Sequence, residues 1–134
     1  MSAQNRRAIV EKAYADFGQG DIPSIISALS PDVEWREPGA PYVPYGGTYR
    51  GHEGVGQFFS KLDGSLEMLE FEPRDLIEQG DKVVALGHFK ARSRPNGNVF
   101  ETDWTMVWNF SGDKIARFQS FVDTAAVAEA YRAG

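Results

Sequence analysis

A chain of 134 residues has room for one hydrophobic core but not for two domains. Fourteen Lys and Arg against nineteen Asp and Glu leave a net charge of −5, which argues against a phosphate-binding, nucleic-acid footprint. With no cysteine there are no disulfides, no thiolate nucleophile and no zinc–thiolate site, and a reducing, cytoplasmic setting is expected.

No apolar run approaches the roughly 20 residues of a membrane span. Met1 to Arg7 lacks the long apolar stretch of a signal peptide. Ile9, Val10, Ala13, Tyr14 and Phe17 recur at helical spacing, so a first helix is expected, stopped by Gly18 and Gly20. Asp21 can cap a short second helix whose apolar side is Ile25, Ile26 and Leu29, with Ser30-Pro31-Asp32 ending it. Val33 to Glu37 reads as a short strand with Trp35 and Glu37 on one face. Pro38 to Gly51 reads as a loop rich in Pro, Gly and Tyr. Val55, Phe58, Phe59 and Leu62 then mark a third helix, from about 53 to 62.

From Glu67 the pattern changes to strands. Gly80-Asp81, Asn96-Gly97 and Gly112-Asp113 are hairpin turns that divide the rest into strands 67–78, 82–94, 99–111 and 114–123. Short connections make these antiparallel neighbours. Asp123 or Thr124 can cap a final short helix carrying Val127 and Tyr131. Helices first and a meander afterwards give an α+β fold.

Alternation sorts the last three strands into two faces. One carries Val84, Leu86 and His88, then Trp104, Met106, Trp108 and Phe110, then Phe118, Ser120 and Val122. The other carries Val83, Ala85, Gly87 and Phe89, then Asp103, Thr105, Val107 and Asn109, then Arg117, Gln119 and Phe121. The first is large and apolar and is expected to lie under the helices. The second is mixed, and either meets water or a second copy's sheet. His88 and Ser120 are the exceptions on the apolar face. Each is either a satisfied core residue or part of a cavity wall.

The chain resembles the NTF2-like superfamily, on the branch of SnoaL-like polyketide cyclases and ketosteroid isomerase-like proteins. The resemblance rests on Gly20-Asp21 after the first helix and on Leu29-Ser30-Pro31-Asp32-Val33-Glu34-Trp35. It continues with Tyr49-Arg50-Gly51-His52-Glu53-Gly54-Val55 before Phe58-Phe59, then Gly112-Asp113-Lys114-Ile115 and Phe121-Val122-Asp123-Thr124. It covers nearly the whole chain, residues 1–134 being read as one such domain. It implies a cone: a strongly bent antiparallel sheet wrapped by three helices, with a central pocket and a homodimer through the outer sheet face. It also implies that Glu37, before Pro38, stands where ketosteroid isomerases keep their general base. Their oxyanion-hole tyrosine falls on Ala13, with Tyr14 beside it. Their neutral aspartic acid falls near Met106, whose thioether has no proton to donate. Steroid isomerase activity is therefore not expected.

The expected catalytic pair is Glu37 and His88. The expected substrate-binding wall is Tyr14, Phe17, Trp35, Phe58, Leu86, Trp104, Met106, Trp108, Phe118 and Ser120. A carboxylate at a hydrophobic mouth can hold a raised pKa and act on a carbon acid. Glu37 can equally be a solvated partner of Arg36 or Arg50. No cofactor and no metal are expected, because His52 and His88 lack ligand spacing. Three classes stay open: an enzyme doing acid/base chemistry on a small hydrophobic carbonyl compound, a non-catalytic binder of such a molecule, and a protein-interaction module.

Overall fold

The computed structural model describes residues 6–132. Residues 1–5, part of the segment expected to carry no signal peptide, lie outside the described residues. The elements run α1 (Arg6–Gly18), α2 (Ile22–Ser27), β1 (Leu29–Glu37), β2 (Gly47–Arg50), α3 (Gly51–Ser65), β3 (Leu66–Gln79), β4 (Lys82–Ser93), β5 (Val99–Ser111), β6 (Lys114–Val122) and α4 (Thr124–Tyr131). The α+β class stands. One curved, unclosed sheet has the order β2-β1-β6-β5-β4-β3. Helix α1 crosses β3 and β4, α3 lies along β1 and β2, and α4 covers β5. Among the described residues no helix is long and apolar enough to cross a membrane.

Local chemistry sets the helix starts. Asp21 accepts from the Ser24 backbone N–H and hydroxyl, at 3.2 and 2.7 Å. Asp123 accepts from the Ala126 N–H at 3.1 Å. Each satisfies donors that a first helical turn leaves unpaired. The His52 ring bonds the Leu29 carbonyl at 2.9 Å and ties the start of α3 to β1.

The meander β3–β4–β5–β6 is antiparallel throughout. Three features of the first strands depart from the expected layout. Strand β1 pairs β6 in parallel, Trp35 opposite Phe118, so the sheet is mixed. It also starts at Leu29, and an irregular register between Leu29 and Glu34 absorbs the Ser30-Pro31-Asp32 segment expected to end a helix. Pro31 has no N–H for a ladder, which suits it to such an irregularity. The supposed loop hides β2, which pairs antiparallel with β1.

The faces of β5 and β6 are as their alternation indicates, but those of β4 are reversed. Val83 lies opposite Trp108, Ala85 opposite Met106 and Gly87 opposite Trp104. Val83, Ala85, Gly87 and Phe89 therefore face the helices, whereas Val84, Leu86 and His88 face outward. Size matching is the reason. Three bulky side chains on β5 need small neighbours on β4, because interiors pack at crystal-like density. A Cβ added at Gly87 would stand 2.3 Å from Trp104 and 2.5 Å from the Glu72 carbonyl.

Candidate active site

The inner face of the sheet and the helices enclose a chamber lined by 22 residues. Its free space is about 90 Å³. Most of the wall is aromatic or aliphatic. Trp35 stacks on Phe118 with ring centroids 3.9 Å apart, and meets Trp108 edge-on at 5.8 Å. Of the expected binding wall, Tyr14, Phe17, Trp35, Phe58, Met106, Trp108, Phe118 and Ser120 line the chamber. Trp104 does not line it; it is buried against Tyr14 and Phe71. Leu86 does not reach it either: it sits on the outer face, 37% exposed, because of the β4 parity.

Glu37 does reach the chamber, and is the one Asp, Glu, Lys, Arg or His side chain among its lining residues. Two steps place it there. Alternation along β1 puts Trp35 and Glu37 on the inner face. The neighbouring carboxylate, Glu34, draws both Arg36 and Arg50 to itself on the other face, so neither arginine pairs with Glu37. As a whole residue Glu37 is part-exposed. Its carboxyl accepts from the Trp35 indole N–H at 3.0 Å. Desolvation in the apolar wall pushes its pKa from 4.5 up to about 8, and the indole hydrogen bond partly opposes this. At neutral pH the group is mostly an uncharged acid.

Two further hydroxyls reach the wall, Tyr14 from α1 and Ser120 from β6. The Tyr14 oxygen accepts from the Trp108 indole N–H at 3.0 Å, and its own proton points to the Met106 sulfur at 3.3 Å. A thioether is a weak acceptor, so that proton is available to a better one. Burial pushes the Tyr14 pKa well above its usual value, the Trp108 bond opposing, and keeps the phenol protonated. Ser120 is buried, and its hydroxyl makes no hydrogen bond among the described residues. The loop after β1 supplies the remaining wall. Val43 donates its N–H to the Gly39 carbonyl at 2.9 Å, and the tight turn folds Val43 and Tyr45 onto the chamber. Gly39 sits at φ +101°, and a Cβ there would lie 2.5 Å from the Val43 side chain. Tyr42 on the same loop stays 76% exposed and forms no part of the wall.

His88 is not at the chamber. It lies on the outer face, with Nδ1 2.8 Å from Asp103 Oδ1 and Nε2 2.8 Å from Glu101 Oε1. Each ring nitrogen faces a carboxylate oxygen, an arrangement that favours the protonated ring with its two N–H donors. The hydrogen bonds to Asp103, then to Glu101, raise its pKa. The expectation that it faces Glu37 across a cavity fails for the parity reason given above. Sequence reasoning overlooked the small residues of β4 as the signal: Gly87 opposite a tryptophan marks an inner face better than His88 does.

The SnoaL-like domain family model matches residues 10–118. The chain belongs to the SnoaL-like domain family. An NTF2-like protein from Burkholderia xenovorans is 30% identical, superposes with a TM-score of 0.88, and is matched over 98% of this chain and 99% of its own. TerC, crystallised with polyporic acid, is 32% identical, with a TM-score of 0.85 over 96% and 98% of the two chains. An uncharacterized protein of Mycobacterium tuberculosis is 26% identical over 129 residues, 92% of each chain. This SnoaL-like chain is thus a pocket protein on an NTF2-like fold.

Proposed function

We propose that this SnoaL-like protein is a cofactor-free enzyme that transfers a proton on a small hydrophobic carbonyl compound, with Glu37 as the acid/base group. The observation that carries the reading is a lone carboxyl, poised near neutrality, on the wall of an aromatic chamber. The ionised carboxylate takes a proton from the carbon beside the carbonyl. The C–H electron pair becomes a C=C bond, and the carbonyl oxygen takes up the negative charge. The Tyr14 hydroxyl, freed from Met106, donates to that oxygen. The protonated Glu37 then returns the proton to carbon. TerC, 32% identical and crystallised with polyporic acid, supports an organic ligand in this chamber.

The test needs no knowledge of the natural substrate. Phenylacetone in D₂O exchanges its α-hydrogens, and NMR follows the rate. The wild type should accelerate exchange, and Glu37→Gln should lose about 10² to 10⁴ of that acceleration. Equal rates for the two proteins refute the catalytic reading. One observation favours a second reading, that of a binder: the neighbour of the Tyr14 hydroxyl is Met106, whose thioether has no proton to donate. Saturable binding of phenylacetone with no exchange would select it.

The protein is also a homodimer in this reading. Leu86, Thr105 and Phe121 align across the outer face, as do Val84, Val107 and Gln119. Leu86 and Phe121 are 37% and 48% exposed there, the apolar surface a second sheet would cover.

A further inference from the structure

The chamber is small. A cavity of about 150 Å³ holds one benzene, whereas this one offers about 90 Å³. A ligand much longer than one six-membered ring extends beyond it. A second hollow of about 520 Å³ shares Phe17, Phe59, Leu62, Leu66 and Met68 with the chamber wall, so these five side chains stand between the two and a ligand reaching both passes among them. Glu37, Tyr14 and Ser120 line only the inner space.

The outer hollow has its own chemistry. Arg94 is its sole cationic lining residue, against one carboxylate, Asp63. The Arg94 backbone N–H is fixed by the Ser65 carbonyl at 3.0 Å, and its Nε donates to the Asp63 carbonyl at 2.6 Å. That second bond caps the last turn of α3 and uses one edge of the guanidinium. Nη1 and Nη2 make no hydrogen bond among the described residues. Nη2 has only a loose contact to the Asp63 carboxylate, at 3.7 Å, and that carboxylate is 89% exposed. A contact of this kind is worth little. The free edge of a planar fork, held still by its other edge, matches an oxyanion.

We propose that the outer hollow is an anion subsite, so that the substrate is an elongated molecule with an apolar reacting end and a carboxylate or similar oxyanion at its far end on Arg94. This rests on the chamber being the ligand site, as proposed above, and adds the class of the ligand's other end.

The test uses two probe molecules of one skeleton, 6-phenylhexanoate and the neutral 6-phenyl-1-hexanol, titrated calorimetrically into the whole protein. The wild type should bind the carboxylate about fivefold more tightly than the alcohol, the size of a half-exposed charge pair. Arg94→Gln should abolish that preference while leaving alcohol affinity unchanged. Arg94→Lys should keep part of it, and Lys61→Gln, a lost cation outside the hollow, should keep all of it. A purely structural Arg94 would shift both affinities together, and that result overturns the proposal. So does equal binding of the two probes by the wild type. In those two cases the chamber reading survives, because both probes still bind. Failure of both probes to bind refutes the chamber reading, and the anion subsite with it.

Discussion

Replacing Glu37 by Gln should remove one loss of stability that the wild type suffers as pH rises. The carboxyl moves from 4.5 to about 8 on folding, so the native state holds its proton more tightly than the unfolded chain does. Below pH 4.5 both states are protonated and this group costs nothing. As pH rises from 4.5 towards 8 the unfolded chain gains by ionising and the native state does not, so stability falls. Above 8 both are ionised and the loss levels off. At about 1.4 kcal/mol per pH unit the full loss is on the order of 5 kcal/mol. Water entering the chamber on ionisation reduces that, so about 2 to 5 kcal/mol is the expected range. The substituted glutamine keeps an acceptor for the Trp35 indole and cannot ionise. Urea unfolding followed by far-UV circular dichroism, at about pH 5 and pH 9, gives the stability of both proteins. Between those two conditions the variant should gain about 2 to 5 kcal/mol on the wild type. A difference constant to within about 0.5 kcal/mol refutes the burial argument, whatever the catalytic assays show.

Gly87→Ala places a methyl carbon against Trp104 and the Glu72 carbonyl, and should destabilise the fold by about 2 kcal/mol in thermal unfolding; an unchanged melting temperature would contradict the tight β4–β5 packing. Asp103→Asn removes the larger of the two hydrogen bonds that raise the His88 pKa, so NMR titration of that ring should give a lower value than in the wild type. The sign on stability follows: the wild-type benefit is full at low pH and fades as pH climbs through the His88 pKa, and a titration curve identical in both proteins would deny the clamp. Phe121→Glu combined with Leu86→Glu should convert a dimer to a monomer by light scattering, and an unchanged mass would exclude the outer face as the interface.

Much of this architecture is readable from residues alone, where one signal dominates. The Val10–Ala13 stripe of α1 and the turn pairs Gly80-Asp81 and Gly112-Asp113 each mark their element without help from distant parts of the chain. Trp35 and Glu37 share a face because alternation on β1 has no competing signal. The misreadings arise where distant partners decide. On β4 both parities carry apolar residues, and Leu86 points outward while Ala85 and Gly87 point inward because β5 fills the interior with its own bulk. Val84, Leu86 and His88 look like a core face only until Trp104, Met106 and Trp108 are set opposite Gly87, Ala85 and Val83. Strand β2 has four residues, and its pairing with β1 rather than any pattern of its own makes it a strand. The parallel β1–β6 contact joins segments about 80 residues apart, beyond the reach of hairpin logic. Arg94 carries no motif, and its free edge is visible only once Asp63 and Ser65 have fixed its position.

Two of the three tryptophans touch both the chamber and its polar groups: Trp35 bonds Glu37, and Trp108 bonds Tyr14. Their rings meet edge-on and are almost wholly shielded from solvent. The molecule therefore has a built-in optical reporter. A guest in the chamber, or the ionisation of Glu37 beside Trp35, changes the surroundings of an indole whose excited state responds to nearby charge. Ligand libraries can be screened by intrinsic emission alone, with no label, no assay chemistry and no prior guess at the reaction.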